Sequence, residues 1–437
     1  MTLEGKSLKH DFFKFIIPSM IAQIVYSLYS MVDGLFVSIG VNETALAAIN
    51  ISMPFLMFLF AIALIFSVGS STIIAMKLGE GNREEANKMY SQNLVSIVLV
   101  GLCLSVIVIL FNDQIALFLG ATESTMEYVK TYITTIAAFA VFFIASYSFE
   151  VLIKTDGYPT KATIIVSMGV VLNCILDYIF VIALHKGVFG AAIATGISQV
   201  IVIGLYLHHF LGSKTKMKVI PFKFSRGNLS RTIRIGLASG ITELSPGIVI
   251  FLFNHSILKY IGEDGIVSYT IIAYISSILV YAITGVAQGI QPLVSYHYGA
   301  NRIESCKKLL RYALVFSLVV SFATFGIVKI ADEFIVGLFI SEELVDLRNY
   351  SIYALGIFAL SYFVLWFNVV VCGYLTAIEK VKSSIAISLG RGLVFVALSL
   401  NILTLVIGGD GIWWSALTTE TLCLFLSIIL LKRTNHQ

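Results

Sequence analysis

Long apolar stretches recur along almost the whole chain, separated by short polar segments. Each stretch holds about 20 residues or more, the length that an α-helix needs to cross a hydrocarbon core of about 30 Å. Twelve such stretches are predicted to be transmembrane helices. In chain order they are Phe12–Val37, Leu46–Met76, Asn93–Leu110, Tyr128–Ile153, Ala162–Leu184, Gly187–Leu211, Ile233–Leu258, Gly265–Tyr296, Leu309–Val328, Tyr350–Leu375, Ser383–Val406 and Gly411–Leu431.

The composition supports an all-α polytopic membrane protein. Of the 437 residues, 58% are hydrophobic and 12% are charged, and the mean hydropathy is +0.93. A soluble protein carries roughly twice this fraction of charged residues. The net charge of +4 is therefore read as a sign of membrane orientation, and nothing indicates nucleic-acid binding.

Lysine and arginine are concentrated in alternate connecting segments. With both termini in the cytoplasm, 23 of the 29 basic residues lie in cytoplasmic segments, seven of them from Lys214 to Arg234. Cytoplasmic loops hold the excess of basic residues in membrane proteins. We therefore predict a multi-pass protein of the cell membrane with both termini in the cytoplasm. The first apolar stretch is too long for a signal-peptide core, so it is expected to remain as helix 1.

The chain contains an internal repeat with an offset of about 220 residues. GEGNREEANK, which begins at Gly79, is echoed by GANRIESCKK, which begins at Gly299, and Gly190 aligns with Gly411. Because each half has six helices, both halves enter the membrane in the same direction. We predict an N-lobe of residues 1–220 with a cytoplasmic linker at 213–231, and a C-lobe of residues 221–437. Paired repeats of this kind are typical of secondary transporters that work by alternating access.

Four polar side chains are predicted at a similar depth in the outer half of the N-lobe. They are Asp33, Asn173, Asp177 and Thr195, and Asn173 and Asp177 share a helix face because they are four residues apart. Hard cations prefer oxygen ligands of this kind, and two carboxylates without a counter-charge retain a proton between them. We hypothesise a site that alternates between an inorganic cation, Na⁺, and a proton. The alternative is that Asn173 and Asp177 only hydrogen-bond to neighbouring helices.

The C-lobe carries a different set of ionisable residues near mid-depth, namely Glu243, Arg391 and Glu420. One glutamate is expected to pair with Arg391, which leaves the other for a substrate or a proton; a purely structural ion network is the alternative. In the N-lobe, Glu150 lies about one turn from the inner end of helix 4, where it is expected to reach water or a cationic substrate. Pro18 is expected to bend helix 1.

Several classes of protein lack support in this sequence. There is no glycine-rich phosphate-binding loop followed by Lys and Ser/Thr, and no Ser/His pair or metal cluster that would indicate an enzyme. No selectivity-filter motif indicates a channel. The cysteines and His208–His209 lack metal-site spacing. We expect no enzymatic activity and no cofactor other than Na⁺ or H⁺ as the coupling ion.

Motifs along the chain resemble the multidrug and toxic compound extrusion (MATE) family, in particular its bacterial MepA-like and DinF-like branch. They are IIPSMIAQIVYSLYSMVDGLFVS, GEGNREEANK, NCILD in helix 5 and GVFGAAIATGISQ at the start of helix 6. The likeness covers essentially all 437 residues. It implies a V-shaped pair of six-helix lobes that export organic cations in exchange for Na⁺ or H⁺.

The resemblance also indicates which residues of this chain correspond to the functional residues of the family. It places the cation site of the family on Asp33, Asn173, Asp177 and Thr195, and the helix-bending proline on Pro18. On helix 10, Asn368 stands where several relatives have an acid, and this departure favours the N-lobe over the C-lobe as the ion site.

Expected partners are small organic cations or drugs and membrane lipids, and a monomer is expected. A flippase or exporter of lipid-linked or other amphipathic metabolites is the alternative function. It would be expected to carry basic residues in its interior, whereas this chain has five acids in its apolar stretches and one arginine, Arg391.

Overall fold

The chain is almost entirely α-helical, as its hydrophobic pattern predicts. The computed structural model describes residues 7–212 and 215–435. At residues 29–31, 33–35, 37, 38 and 435 the structure describes the backbone but not the side chain.

Six long spans make up the first half of the described chain. They are α1 (Leu8–Gly40), α2 (Glu43–Gly79), α3 (Arg83–Leu110), α4 (Met126–Ala138 and Ala140–Thr155), α5 (Pro159–Asp177, continued by a π-helical turn at Tyr178–Ala183) and α6 (Gly187–Phe210).

Six more spans follow in the second half. They are α7 (Arg226–Tyr260), α8 (Glu263–Gly299), α9 (Ile303–Ile330), α10 (Val345–Phe358 and Tyr362–Ala377, joined by a 3₁₀ turn at Ala359–Ser361), α11 (Val381–Leu389 and Phe395–Ile407, joined by a π-helical turn at Gly390–Val394) and α12 (Asp410–Asn435). Eleven of these spans are long and apolar enough to cross a membrane, and α4 is a twelfth with a bend of 53° between its two parts. The prediction of twelve spans is confirmed when this bent pair is counted as one.

The two halves repeat the same order of elements. A short helix follows α3 at Asn112–Leu119, and another follows α9 at Asp332–Gly337. The turns agree as well: Gly81 and Asn301, about 220 residues apart, have φ angles of 78° and 56°. A left-handed residue at this point lets the chain reverse directly after α2 or α8. The assignment of residues 1–220 and 221–437 to separate domains stays a prediction.

Two hydrophobic cores lie in the described structure. One is formed by side chains from α2 to α6 and by the start of α7 at Ile235. The other is formed by α7 to α12 together with Phe12, Phe15 and Ile16 of α1. The beginning of α1 is therefore packed into the core of the second half, although the rest of the chain around it belongs to the first.

The halves meet most closely on the side of the molecule that carries the start of α1 and the end of α12, here called the terminal face. A Cβ atom on Gly299 would overlap the carbonyl oxygen of Met76, and a Cβ atom on Gly79 would overlap that of Tyr296. Because Met76 and Gly79 align with Tyr296 and Gly299 in the repeat, one contact is the symmetric copy of the other. Glycine lets the backbones of α2 and α8 approach this closely.

A second pair of contacts deeper in the molecule follows the same symmetry. Gly240 of α7 lies against Ile65 of α2, and Gly285 of α8 lies against Met20 of α1, which is the counterpart of the first contact at an offset of 220 residues. The two halves thus close at the terminal face through glycine contacts that leave no room for a side chain.

We predict that Gly299→Ala lowers the midpoint of thermal unfolding, because the added methyl group pushes α8 away from α2; overpacking of this kind costs about 1–3 kcal/mol. The matched control is Gly326→Ala in α9, where an added Cβ has no neighbour within 4 Å. Helix propensity alone favours alanine by up to about 1 kcal/mol, so the control should be neutral or stabilising. Equal midpoints for the two variants in detergent would contradict this account of the interface.

Candidate ion and substrate sites

The register between α1 and α5 is fixed by contacts near both ends. Close to the terminal face, the hydroxyl of Thr163 donates a hydrogen bond of 2.7 Å to the carbonyl oxygen of Pro18. Towards the opposite face, Gly40 packs against the side chain of Val181. The two helices therefore run side by side in the same direction.

This register brings the predicted N-lobe residues to one level. Interpolating between the two contacts places the backbone of Asp33 level with about residue 175, using a constant rise along both helices. Asn173 and Asp177 lie just to either side of that level. The side chain of Asp33 itself lies outside the described residues.

The antiparallel helix α6 is registered in the same way. Gly190 packs against the carbonyl group of Phe180, and Gly169 packs against the side chain of Val202. Interpolation along α6 then places Thr195 level with about residue 175 as well. The backbones of all four predicted residues thus lie at one depth on α1, α5 and α6.

The described side chains of this group are suited to bind a cation. Asp177 is fully buried and Asn173 is 2% exposed. Neither the amide oxygen nor the amide nitrogen of Asn173 has a hydrogen-bond partner in the described structure, and a buried polar group left in this state costs about 1–3 kcal/mol. Thr195 donates its hydroxyl proton to the carbonyl oxygen of Ala191 at 3.0 Å, so its oxygen lone pairs remain available to a ligand.

A π-helical turn begins directly after Asp177, at Tyr178. Such turns occur in short pieces and frequently at functional sites. The hydrophobic pattern does not predict this turn, because a π-helical turn does not interrupt the run of apolar residues.

In the second half, three polar residues form a closed network around Glu420. Arg391 Nε donates to Glu420 Oε1 at 2.6 Å, and Asn368 Nδ2 donates to Glu420 Oε2 at 2.8 Å. Asn368 Oδ1 in turn accepts a hydrogen bond of 2.9 Å from the hydroxyl of Ser427. Arg391 lies on the π-helical turn of α11. The arginine is the resident counter-charge of this acid.

The equivalent position in the first half carries a neutral hydrogen bond. Gln199 aligns with Glu420 in the repeat, and its side-chain oxygen accepts from the hydroxyl of Ser146 at 2.5 Å. The two halves thus have a polar contact at the same place, which is neutral in the first half and an ion pair in the second.

Glu243 lies apart from that ion pair. Its carboxylate is partly exposed and makes no hydrogen bond or ion pair with the residues that the structure describes. It lies close enough to Tyr147 of α4 and Tyr281 of α8 to interact with them electrostatically. The group of Glu243, Arg391 and Glu420 expected from the sequence is therefore divided into a paired acid and a separate one.

The environment of Glu150 differs from the expectation that it reaches water. Glu150 is 3% exposed and binds Lys154 Nζ through Oε1 at 2.7 Å. Its other oxygen accepts a hydrogen bond of 3.3 Å from the hydroxyl of Tyr26. Lys154 directly follows the predicted span Tyr128–Ile153, yet it is 2% exposed, because α4 continues to Thr155 and its side chain turns back towards the acid one turn earlier.

Sequence reasoning also missed a polar bridge between the halves. Gln23 of α1 donates from its amide to the side-chain oxygen of Gln288 of α8 at 2.9 Å. Neutral amides in apolar stretches gave a weaker signal than the carboxylates, although they too require a partner when they are buried.

Comparisons with known proteins agree with this architecture. The MatE family model matches residues 18–179 and 241–403. The multidrug export protein MepA of Staphylococcus haemolyticus is 26% identical over 431 residues, which cover 98% of this chain and 94% of that protein. MepA of Staphylococcus aureus is 25% identical over 420 residues, with 95% and 92% coverage.

Solved structures show the same fold. One, described as the outward-facing conformation of a multidrug resistance MATE family transporter of the MOP superfamily, has a TM-score of 0.92 at 23% identity and covers 99% of this chain and 97% of its own. Another, of a MOP superfamily transporter from Pyrococcus furiosus, has a TM-score of 0.89 at 24% identity, with 98% and 96% coverage.

We predict strong coupling between Arg391 and Glu420 in a double-mutant cycle of thermal stability. Arg391→Met leaves the buried Glu420 without its counter-charge, and breaking a buried pair from one side costs about 3–5 kcal/mol. The double variant Arg391→Met/Glu420→Gln removes both charges and should recover most of the loss. Additive losses in the double variant would show that the pair acts as two independent groups.

Proposed function

Because this chain belongs to the MatE family of membrane transporters, we propose that it is a secondary active multidrug exporter. In this proposal it exchanges organic cations for Na⁺ or H⁺ across the cell membrane by alternating access, with both termini in the cytoplasm. The similarity to proteins named as multidrug export proteins over nearly the whole chain supports the export of drug-like compounds.

The observation that carries the coupling site is the unsatisfied amide of Asn173. Neither polar atom of this buried side chain is paired among the described residues, and a ligand at this position would offset its desolvation. With Asp33, Asp177 and Thr195 at the same depth, the ligand that fits is a small hard cation held by oxygen atoms. When the cation leaves, a proton on one of the two acids keeps the site from holding two adjacent negative charges.

The position of α1 explains how ion occupancy can change the arrangement of the halves. Its first turns are packed in the core of the second half through Phe12 and Ile16, whereas its last turn lies on α5. Pro18 lies between these two anchors and lacks the N–H group that would stiffen the helix. A change in ion occupancy at Asp33 therefore acts on α1, the helix that connects the two cores.

For the organic cation, the proposal assigns Glu243 as the counter-charge. Its neighbours Tyr147 and Tyr281 belong to opposite halves, so a substrate there would contact both. Tyr147 is stacked on Tyr26 with ring centroids 5.9 Å apart and an interplanar angle of 15°. Tyrosine faces attract organic cations, so this group would favour flat cationic compounds.

The first test is export of ethidium from proteoliposomes with a sodium gradient and a pH gradient imposed separately. We expect one gradient to drive efflux, and Asp33→Asn or Asp177→Asn to reduce it to the level of protein-free liposomes. The matched control is Asp113→Asn, an exposed acid that forms an ion pair with Lys130. Full gradient-driven efflux with Asp33→Asn would refute the coupling site. Absence of efflux from folded wild-type protein under both gradients would refute the antiport.

A second test separates substrate binding from ion coupling. Glu243→Gln removes the proposed counter-charge and should raise the KM for ethidium about tenfold, the effect of losing roughly 1.4 kcal/mol. The KM for an uncharged substrate should remain unchanged. An equal rise for charged and uncharged substrates would mean that Glu243 shapes the protein without contacting the cation.

A further inference from the structure

The connection between α6 and α7 is held against α3 along most of its length. Non-helical residues 215–225 lead from the end of α6 to the start of α7. The N–H groups of Lys218, Ile220 and Ser225 donate to side-chain oxygens of α3, at 3.0, 2.9 and 3.1 Å. The acceptors are, in the same order, Asn87, Ser91 and Gln92.

Further contacts fix both ends of this segment, here called the strap (residues 215–225). Gln92 Nε2 donates to the carbonyl oxygen of Ser225 at 2.9 Å, and Lys216 N–H donates to Asp156 Oδ1 at 3.1 Å. The side chain of Met217 is 2% exposed. The strap is thus an ordered part of the first half, and its remaining side chains are presented outward in a fixed arrangement.

The depth of the strap follows from the exposed residues of α3. The outward-facing apolar band of this helix begins at Val95, which is 41% exposed. The residues that hold the strap, from Asn87 to Gln92, lie about 5–12 Å before that band at 1.5 Å per residue. A bilayer of about 40–45 Å with a hydrocarbon core of about 30 Å has headgroup layers of about 5–8 Å each, so the end of the strap held by Gln92 lies in the headgroup layer and the end held by Asn87 lies at its outer edge.

The outward side chains of the strap combine positive charge with apolar surface. Lys218 and Lys223 are exposed, and each precedes an exposed apolar residue, Val219 at 70% and Phe224 at 48%. Arg226 follows at the first turn of α7 and is also exposed.

None of these three cations forms an ion pair within the part of the chain that the structure describes. The acids at the start of α3, Glu84 and Glu85, are both bound by Lys88, at 2.8 and 2.9 Å. Glu84 and Glu85 therefore do not compensate the positive charges of Lys218, Lys223 and Arg226.

We propose that the strap binds the headgroups of anionic phospholipids in the adjacent leaflet through Lys218, Lys223 and Arg226, while Phe224, next to the residue bound by Gln92, enters the upper acyl region. Basic residues at this depth are attracted to anionic lipid, and amphipathic segments place apolar side chains just below the headgroups. The site is independent of the proposed transport function. Since the strap leads directly into α7, the lipid contacts the segment that joins the two halves.

The test places a reporter in the strap. Phe224→Trp in the full chain, reconstituted in bilayers with brominated phosphatidylglycerol or the same fraction of brominated phosphatidylcholine, should show stronger quenching of the added indole by phosphatidylglycerol. Trp366, Trp413 and Trp414 supply a background that is measured with the parent chain. The preference should be lost when Lys218→Gln, Lys223→Gln and Arg226→Gln are added, because the three charges together contribute about tenfold or more in affinity.

The matched control removes the same charge from the first turns of α9, the second-half counterpart of the α3 segment that holds the strap, with Lys307→Gln, Lys308→Gln and Arg311→Gln. This control should retain the preference for phosphatidylglycerol. Equal quenching by the two lipids, or loss of the preference in both triple variants, would overturn the assignment to the strap. An indole that neither lipid quenches would show that the strap lies outside the headgroup layer.

Discussion

The cost of burying polar groups away from water is the constraint on which this structure depends. An interior that faces lipid cannot hydrate a charge, so each buried acid needs a counter-charge, a proton or a ligand. Glu420 has Arg391 and Glu150 has Lys154, and both pairs are satisfied within the protein. Asn173, by contrast, is buried with both polar atoms unpaired among the described residues. Asn173 differs from the other unpaired groups of the described residues, such as His297, in lying level with two acids, and there we propose that the protein binds its coupling ion.

The two halves have diverged in charge while they retain one architecture. The repeat preserves the glycine contacts of Gly79 and Gly299 at the terminal face and the turns that follow α2 and α8. At one equivalent position the first half has a neutral contact of Gln199 and the second half has the ion pair of Glu420. The arginine already compensates Glu420, whereas the amide of Asn173 has no partner among the described residues, and this contrast favours the first half as the site of the inorganic coupling ion.

Much of the fold could be predicted from sequence because bilayer thickness imposes a length on every apolar stretch. The twelve spans were recovered in this way, and the resemblance to the MATE family was found from motifs such as GEGNREEANK and NCILD. The common depth of Asp33, Asn173, Asp177 and Thr195 was estimated by counting residues from helix ends, and the register of α1, α5 and α6 agrees with it. The π-helical turns, the bend in α4 and the burial of Lys154 were missed, since they depend on packing between helices that hydropathy does not record. The strap lies within residues 213–231, which the polarity of this stretch predicts to be a cytoplasmic linker; that pattern carries no sign that side chains of α3 bind its backbone.

The most direct test of the central claim measures ion release when substrate binds to the purified protein. Tetraphenylphosphonium is added in weakly buffered detergent solution, while a pH indicator and a sodium electrode follow the free ions. Our account predicts release of either protons or Na⁺ by the wild type, and no release by Asp33→Asn under conditions in which the variant still binds the compound. Saturating binding to the wild type without release of either ion would contradict it.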